Sequence, residues 1–264
     1  MSGGGDMGNI EVRRVGAAQV MRFNRPEKKN ALTGEMYDAL SDALEAGDSD
    51  GAVAAHIFLG SGSVFTAGND IGEFLASSGG DQAALGAVLR FVRLLARVAK
   101  PMLAGVDGLA VGIGTTLLFH CDMVYASPTA RFQTPFLDLG LVPEAASSLL
   151  MPARMGYARA FEMLVLGKAM DAAAMQSAGL INAIVPVEQL EARVMGVAAE
   201  LARKPPAALT QARRLMRGDV EALSRRTDDE AAIFARQLQS SEAREAFQAF
   251  LEKRAPDFSK HRGS

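Results

Sequence analysis

The segment KPMLAGVDGLAVGIGTTLLFHCDMVYA, residues 100–126, is the most informative part of this sequence for the fold. Its apolar segments Met102–Val106 and Met123–Ala126 predict short buried strands, and a glycine-rich segment and a short helix lie between them. Strands that are separated by helices are typical of α/β proteins. The sequence therefore predicts an α/β fold.

The segments before this stretch extend the same alternation. Residues 10–23 and 52–59 predict strands, and glycine and serine at residues 60–63 predict a turn after the second. Thr33 can cap a helix between them, whose apolar face has helical spacing: Met36, Leu40, Ala43 and Leu44. A longer helix is predicted over residues 82–99, where apolar side chains recur at helical spacing until Lys100-Pro101 ends the pattern.

The last third of the chain changes character. From Val187 onward almost only helical periodicity remains, with breaks at Lys204-Pro205-Pro206 and around Gly218. Residues 222–255 are charged and amphipathic, with an apolar stripe of Ile233, Phe234, Leu238, Phe247, Phe250 and Leu251. Such a stripe predicts core packing or a contact between subunits.

The bulk composition excludes several classes of protein. The 264 residues fit one large domain, and the net charge of −2 argues against nucleic acid as a partner. The single Cys121 excludes a disulfide within the chain, and the three scattered histidines predict no metal site. We find no signal peptide and no stretch apolar enough to cross a membrane, so a cytoplasmic location is expected.

Two glycine-containing loops are candidates for binding a ligand. They cover residues 64–72 and 108–116, and their backbone N–H groups, placed at helix starts, can stabilise an oxyanion. The alternative is that these glycines only form tight turns and packing points. Neither loop has the spacing of a phosphate-binding or dinucleotide-binding motif.

Glu144 is the most informative candidate for chemistry. It is the one charged residue in the stretch LGLVPEAASSLL, residues 139–150. Apolar surroundings raise the pKa of a carboxyl group toward values that suit proton transfer. The alternative is an exposed loop acid, or the first-turn acid of a helix that starts after Pro143.

Four aspartates compete with Glu144. Asp70 is expected to cap a helix, Asp122 to close a turn before a strand, and Asp138 either to face a ligand or to support one that does. Asp107 is the fourth. His120 and Cys121 are adjacent and would point about 100° apart on a helix, so a Cys–His nucleophilic pair is not expected.

Four blocks resemble the motifs of the crotonase (enoyl-CoA hydratase/isomerase) superfamily. They are NRPEKKNAL at residues 24–32, FTAGNDI at 65–71, KP…GLAVGIG…CD within 100–122, and FQTP…LGL within 132–141. The resemblance implies an acyl-CoA thioester as substrate and no cofactor beyond its coenzyme A. It implies a spiral of ββα units over residues 9–200, after a flexible N-terminus at residues 1–8. A helical trimerisation region would follow over residues 201–264, in a homotrimer or a dimer of trimers.

The resemblance also implies roles for individual residues. The amides of Asn69 and Ile113 would form an oxyanion hole, with Gly112 in the same glycine triplet. Backbone around Ala67, Gly68, Asp70 and Ile71 would contact the nucleotide end of the substrate. Phe136 would line the acyl pocket. Lys28, or its neighbour Lys29, and Lys253 of an adjacent subunit would bind phosphates, although solvated surface lysines are the alternative.

The resemblance narrows the reaction as well. The two glutamate positions of the family's hydratases fall on Thr116 and Phe136, which cannot transfer a proton as carboxylates do. TPF at residues 134–136 and PEAASS at 143–148 are instead similar to the single-glutamate Δ3,Δ2-enoyl-CoA isomerase branch. Glu144 matches the catalytic acid of that branch, and Leu141, Val142 and Phe136 would form its apolar wall.

Several alternatives stay open at this point. They are a hydratase that recruits another acid, a thioester hydrolase or decarboxylase on the same scaffold, and a non-enzymatic acyl-CoA-binding oligomer. The acyl chain length would depend on residues 72–89 and on the helical tail.

Overall fold

A computed structural model describes residues 5–72 and 82–261. In this part of the chain, ten strands form a seven-stranded sheet, in the order β1-β2-β3-β4-β5-β7-β10, and a three-stranded sheet, in the order β6-β8-β9. The strands are β1 Gly5–Met7, β2 Ile10–Val15, β3 Ala18–Phe23, β4 Ala55–Leu59, β5 Met102–Val106, β6 Leu109–Val111, β7 Met123–Ala126, β8 Arg131–Gln133, β9 Met170–Asp171 and β10 Ala183–Ile184.

The chain winds between the two sheets as a spiral. Strands β3, β4, β5, β7 and β10 are parallel in the large sheet, and β6 and β8 are parallel in the small one. After β5 the chain enters β6, and after β7 it enters β8, so successive turns add one strand to each sheet. This architecture confirms the predicted α/β spiral and stacks equivalent loops of successive turns beside each other.

Ten helices accompany the strands in the described part of the chain. They are α1 Gly34–Ser49, α2 Gln82–Arg97, α3 Ile113–Thr116, α4 Ser147–Met155, α5 Tyr157–Leu164, α6 Ala172–Ser177, α7 Val187–Ala202, α8 Pro206–Arg217, α9 Val220–Leu238 and α10 Ser241–Leu251. Thr33 caps α1 as predicted, because its side chain accepts a hydrogen bond from the Met36 amide.

The core lies on both faces of the large sheet. On one face, α1 and α2 bury aromatic side chains such as Phe58 and Phe91. On the other face, α7 packs across the strands through Leu190 and Val194. A side chain at Gly105 would meet Leu59 at 2.8 Å and Val194 at 3.2 Å, so glycine lets this helix approach the sheet closely.

The structure corrects three of the predicted boundaries. The single strand predicted over residues 10–23 is a hairpin, because Gly16 turns the chain with a φ of 60°. Residues 1–8 were predicted to be flexible, but Gly5–Met7 pair with β2 as an edge strand. The strand predicted to start at residue 52 starts at Ala55.

The helical tail has both a buried and an exposed side. Phe234, Leu238 and Phe247 are buried against the body of the chain, whereas Ile233, Phe250 and Leu251 are exposed. The Ser240 cap divides the predicted tail into α9 and α10. Trimerisation through this region stays a prediction.

Among the described residues, no helix combines the length and the apolar character that a membrane span needs. Within the same residues, no three His, Cys, Asp or Glu side chains group as metal ligands would.

Candidate active site

Residues 24–32 and 65–71, which we call the amide scaffold, are joined by the buried side chain of Asn30. This residue has a φ of 54°, a left-handed conformation that asparagine tolerates. Its Oδ1 accepts a hydrogen bond from the Arg25 amide at 2.8 Å. Its Nδ2 donates to backbone carbonyls at 2.7–3.2 Å, those of Ser61, Val64 and Phe65. One side chain therefore fixes the path of both segments.

The two glycine loops lie directly against each other. Thr66 and Ala110 form a parallel bridge, and the Val111 amide donates to the Thr66 carbonyl at 3.0 Å. A side chain at Gly68 would meet the Val111 carbonyl at 2.8 Å, so the left-handed Gly68 is required for this approach. The structure thus brings together the loops that carry Asn69 and Ile113.

The amides of Asn69 and Ile113 are available to a ligand. The Leu32 amide donates a hydrogen bond to the Gly68 carbonyl, and the Leu32 carbonyl accepts one from the Asp70 amide. These two residues flank Asn69, so the Asn69 amide points away from Leu32. Ile113 is the first residue of α3, where an amide has no acceptor within the helix. Neither amide donates to another group in residues 5–72 and 82–261.

Tyr37 supports this region and was not singled out from the sequence. Its hydroxyl donates to Oδ1 of Asn69, and the residue is only 1% exposed. Burial, and secondarily the charge of Glu144, raise the pKa of Tyr37 well above its ordinary value, so the phenol stays neutral. Its position beside Met36 on the apolar face of α1 was the only available signal.

Glu144 begins a tight turn, residues 144–148, which we call the acid turn. Ala145 and Ala146 both have left-handed φ angles, of 55° and 54°, and the Ser147 amide donates to the Glu144 carbonyl at 3.0 Å. Helix α4 starts at Ser147, so Glu144 precedes the helix and is not its first-turn acid. The turn aims the Glu144 side chain toward α3.

The Glu144 carboxyl group has one satisfied and one unsatisfied oxygen. Oε1 accepts a hydrogen bond from the Thr116 hydroxyl at 2.5 Å, whereas Oε2 is shielded from solvent and has no partner among the described residues. Thr116 ends the helix that Ile113 starts, so Glu144 is tied to the element that presents the Ile113 amide. Phe136, Leu141 and Val142 belong to the same apolar cluster as Ile113.

Burial raises the pKa of Glu144 from 4.5 to about 8. The Thr116 hydroxyl opposes this effect, and the negative charge of Glu230 adds to it. A carboxyl group with this pKa exchanges protons readily near neutral pH. The expected apolar setting of Glu144 is confirmed.

Three of the four rival aspartates have other partners. Asp70 binds Arg25 at 2.7 Å and caps the Gly72 amide at 3.0 Å. Asp122 binds Arg213 and the Met102 amide.

Asp107 accepts hydrogen bonds from Ser127 and Thr129. Asp138 is exposed, and its carboxylate lies beside Gly167.

His120 and Cys121 do not form a nucleophilic pair, as predicted. Nε2 of His120 lies 2.7 Å from the Ala145 carbonyl, so it is the donating nitrogen, while Nδ1 faces Arg217. Burial, and then Arg217, lower the pKa of His120 to about 3. Burial raises the pKa of the Cys121 thiol, whose sulfur faces the Leu117 carbonyl.

The remaining predicted binding residues lie at the surface or near the loops. Lys28, Lys29 and Lys253 are exposed, and Lys253 lies in the turn that follows α10. Ala67 donates its amide to the Lys29 carbonyl at 2.9 Å. The segment expected to shape the acyl pocket, residues 72–89, lies partly outside the described residues.

Comparisons with known proteins fit this arrangement. A family model described as enoyl-CoA hydratase/isomerase matches residues 14–261. The chain belongs to this family. A solved structure of an enoyl-CoA hydratase/isomerase from Pseudoalteromonas atlantica superposes with a TM-score of 0.89 at 41% identity, covering 95% of this chain and all of the other.

The curated relatives in this family include both isomerases and hydratases. Enoyl-CoA delta isomerase 2 of Rattus norvegicus is 36% identical over 250 residues, which is 93% of this chain and 64% of the rat protein. The chain thus spans less than two thirds of that relative. The 2,3-dehydroadipyl-CoA hydratase of Escherichia coli is 31% identical to this chain. The alignment covers 96% of this chain and 99% of the Escherichia coli protein.

Proposed function

We propose that this chain isomerises 3-enoyl-CoA to trans-2-enoyl-CoA, with Glu144 as the one acid that carries the proton. The proposal rests on one observation: the buried Oε2 of Glu144 has no partner within the described residues, next to the element that presents the Ile113 amide. A 1,3-proton shift needs a single group that accepts and then returns a proton.

The reaction follows from the position of three groups. Ionised Glu144 removes a proton from C2 of the thioester, and the electrons move to form a dienolate. The amides of Asn69 and Ile113 hold the negative thioester oxygen. Protonated Glu144 then delivers the proton to C4, which moves the double bond to C2–C3 and restores the carboxylate.

The two amides contribute as much as the acid. Loss of one oxyanion donor typically lowers a rate about 10²–10³-fold. Because the donors are backbone groups, the side chains of Asn69 and Ile113 are not decisive.

Hydration is the second candidate, because hydratases are among the relatives at similar identity. Hydration requires a water and a second proton-transfer group. Thr116 and Phe136 occupy the two family positions, and the Thr116 hydroxyl donates a hydrogen bond to Glu144. These residues favour isomerisation over hydration.

We place the substrate by the same reasoning. The nucleotide end lies along Ala67, Gly68, Asp70 and Ile71, the thioester lies at Gly112 and Ile113, and Phe136 lines the acyl side. Lys28, and Lys253 from a neighbouring subunit, bind phosphates in a homotrimer or dimer of trimers. The reaction needs no cofactor beyond the coenzyme A of the substrate, and a cytoplasmic location suits it.

Turnover of trans-3-hexenoyl-CoA, followed by the absorbance of the conjugated product, tests this proposal. We expect Glu144→Gln to lower kcat by about 10³-fold or more, since general acid–base catalysis contributes about 10²–10⁴-fold. The exposed Glu200→Gln is the matched control and should keep wild-type turnover. Crotonyl-CoA hydration, measured in parallel, should be negligible.

Other outcomes select the alternatives. Hydration as the main activity, or isomerisation that survives in Glu144→Gln, would contradict the proposal. Tight acyl-CoA binding without turnover, unchanged by Glu144→Gln, would identify a binding oligomer instead.

A further inference from the structure

Glu230 is a buried carboxylate that contacts the acid turn from a distant helix. It lies on α9 and is only 5% exposed. Its Oε1 accepts a hydrogen bond from the Ser148 amide at 2.9 Å. Buried carboxylates are rare unless they are paired, so this position requires a reason.

The first reason is geometric. Helix α4 starts after Ala146, which has no side chain that can cap it. Ser148 is the second residue of that helix, so Glu230 satisfies an amide that a local capping side chain usually satisfies. The same turn carries Glu144, whose carbonyl accepts from the Ser147 amide. Glu230 therefore fixes the turn that aims Glu144.

The second reason is electrostatic. Burial raises the pKa of Glu230, and the Ser148 hydroxyl, the Ser148 and Ala146 amides and Arg226 oppose this effect by stabilising its ionised form. Its Oε2 has no hydrogen-bond partner among the described residues. The charge of Glu230 in turn raises the pKa of Glu144.

The other titratable groups around the acid turn do not supply this charge. Tyr37 of α1 is held neutral by burial, which raises its pKa. His120, which contacts the Ala145 carbonyl, is neutral because burial lowers its pKa to about 3. Arg226 binds the Ser148 hydroxyl at 3.0 Å and accompanies Glu230 on the same helix.

We propose that Glu230 is a positioning residue for the isomerisation: its buried carboxyl group holds the acid turn, and with it Glu144, through the Ser148 amide. This proposal rests on the proposed function.

Glu230→Gln separates the two contributions, because glutamine can still accept from the Ser148 amide but carries no charge. We expect the midpoint of Glu144 ionisation to fall, because the variant removes a like charge that raises the pKa of Glu144. The midpoint is read in two ways: from the acid limb of kcat/KM for trans-3-hexenoyl-CoA, and from the ¹³C-carboxyl NMR titration of the free protein. Asp229→Asn, on the exposed side of the same helix, should leave both unchanged.

The NMR titration keeps this proposal distinct from the proposed function. An unchanged Glu144 midpoint in folded Glu230→Gln overturns the role of Glu230, whether or not the wild type isomerises the substrate. If Glu230→Gln shifts the Glu144 midpoint but the wild type does not isomerise the substrate, only the proposed function is refuted.

Glu230→Asp is the second variant, in case the glutamine variant does not fold. It keeps the charge but is one methylene shorter, so we expect an unchanged midpoint and a kcat several-fold lower. A shifted midpoint, or wild-type kcat, would overturn the proposal.

Discussion

The amide scaffold and the acid turn satisfy their polar groups in opposite ways. In the scaffold, both polar atoms of the Asn30 side chain are bonded, and Arg25 neutralises Asp70. In the acid turn, two consecutive alanines are left-handed, and Glu144 Oε2 has no partner among the described residues. The scaffold holds amides rigidly, whereas the turn keeps a carboxyl group in an unfavourable setting.

This difference shows which part of the site is stabilising. Satisfied hydrogen bonds in the scaffold contribute to folding and preorganise the oxyanion donors. A buried carboxyl with a raised pKa destabilises the fold once it is ionised, and that cost is the source of its reactivity.

The largest expected loss of stability comes from the scaffold. Asn30→Ala leaves the carbonyls of Ser61, Val64 and Phe65 without their donor, and it places alanine in a left-handed conformation. We expect the free energy of unfolding to fall by about 3 kcal/mol in urea titrations. The exposed Asn24→Ala is the control, and an equal loss there would contradict the role of Asn30.

In the acid turn, replacing Glu144 should raise the free energy of unfolding instead of lowering it, by an amount that depends on pH. The pKa of Glu144 is about 8 in the folded chain and lies near 4.5 when unfolded, so the folded state binds more protons between these values. Stability therefore falls as pH rises from 4.5 through 8. Glu144→Gln removes this loss and should raise the free energy of unfolding by about 5 kcal/mol at pH 9, with little change at pH 4.

Denaturant titrations at both pH values measure this difference. The exposed Glu200→Gln should show no such pH dependence. A Glu144→Gln variant that is less stable than wild type at pH 9 would contradict the description of the turn.

The smallest effect is expected where the two regions meet. Tyr37→Phe removes the hydrogen bond to Asn69 without changing the shape of the side chain. We expect kcat/KM to fall by about three- to tenfold, the value of one hydrogen bond of about 1 kcal/mol. Tyr157→Phe, at a side chain that is 72% exposed, is the control. If both variants are equally active, Tyr37 does not position Asn69.

The sequence predicted the parts of this site that depend on local pattern. The α/β alternation, the Thr33 cap and the apolar setting of Glu144 follow from spacing and composition, and the structure confirms them. The contacts of Tyr37 and Glu230 join distant segments, so local periodicity could not predict them. The hairpin at Gly16 was missed because the strand pattern continues on both sides of the turn.

The most direct test of the central claim follows the proton itself. trans-3-Hexenoyl-CoA deuterated at C2 is converted in ordinary water, and the product is analysed for deuterium at C4. A single buried carboxyl group predicts that part of the label moves from C2 to C4 within one molecule, and that Glu144→Gln abolishes the transfer. Product whose C4 hydrogen comes entirely from solvent, in every turnover, would contradict the account of Glu144 as the one proton carrier.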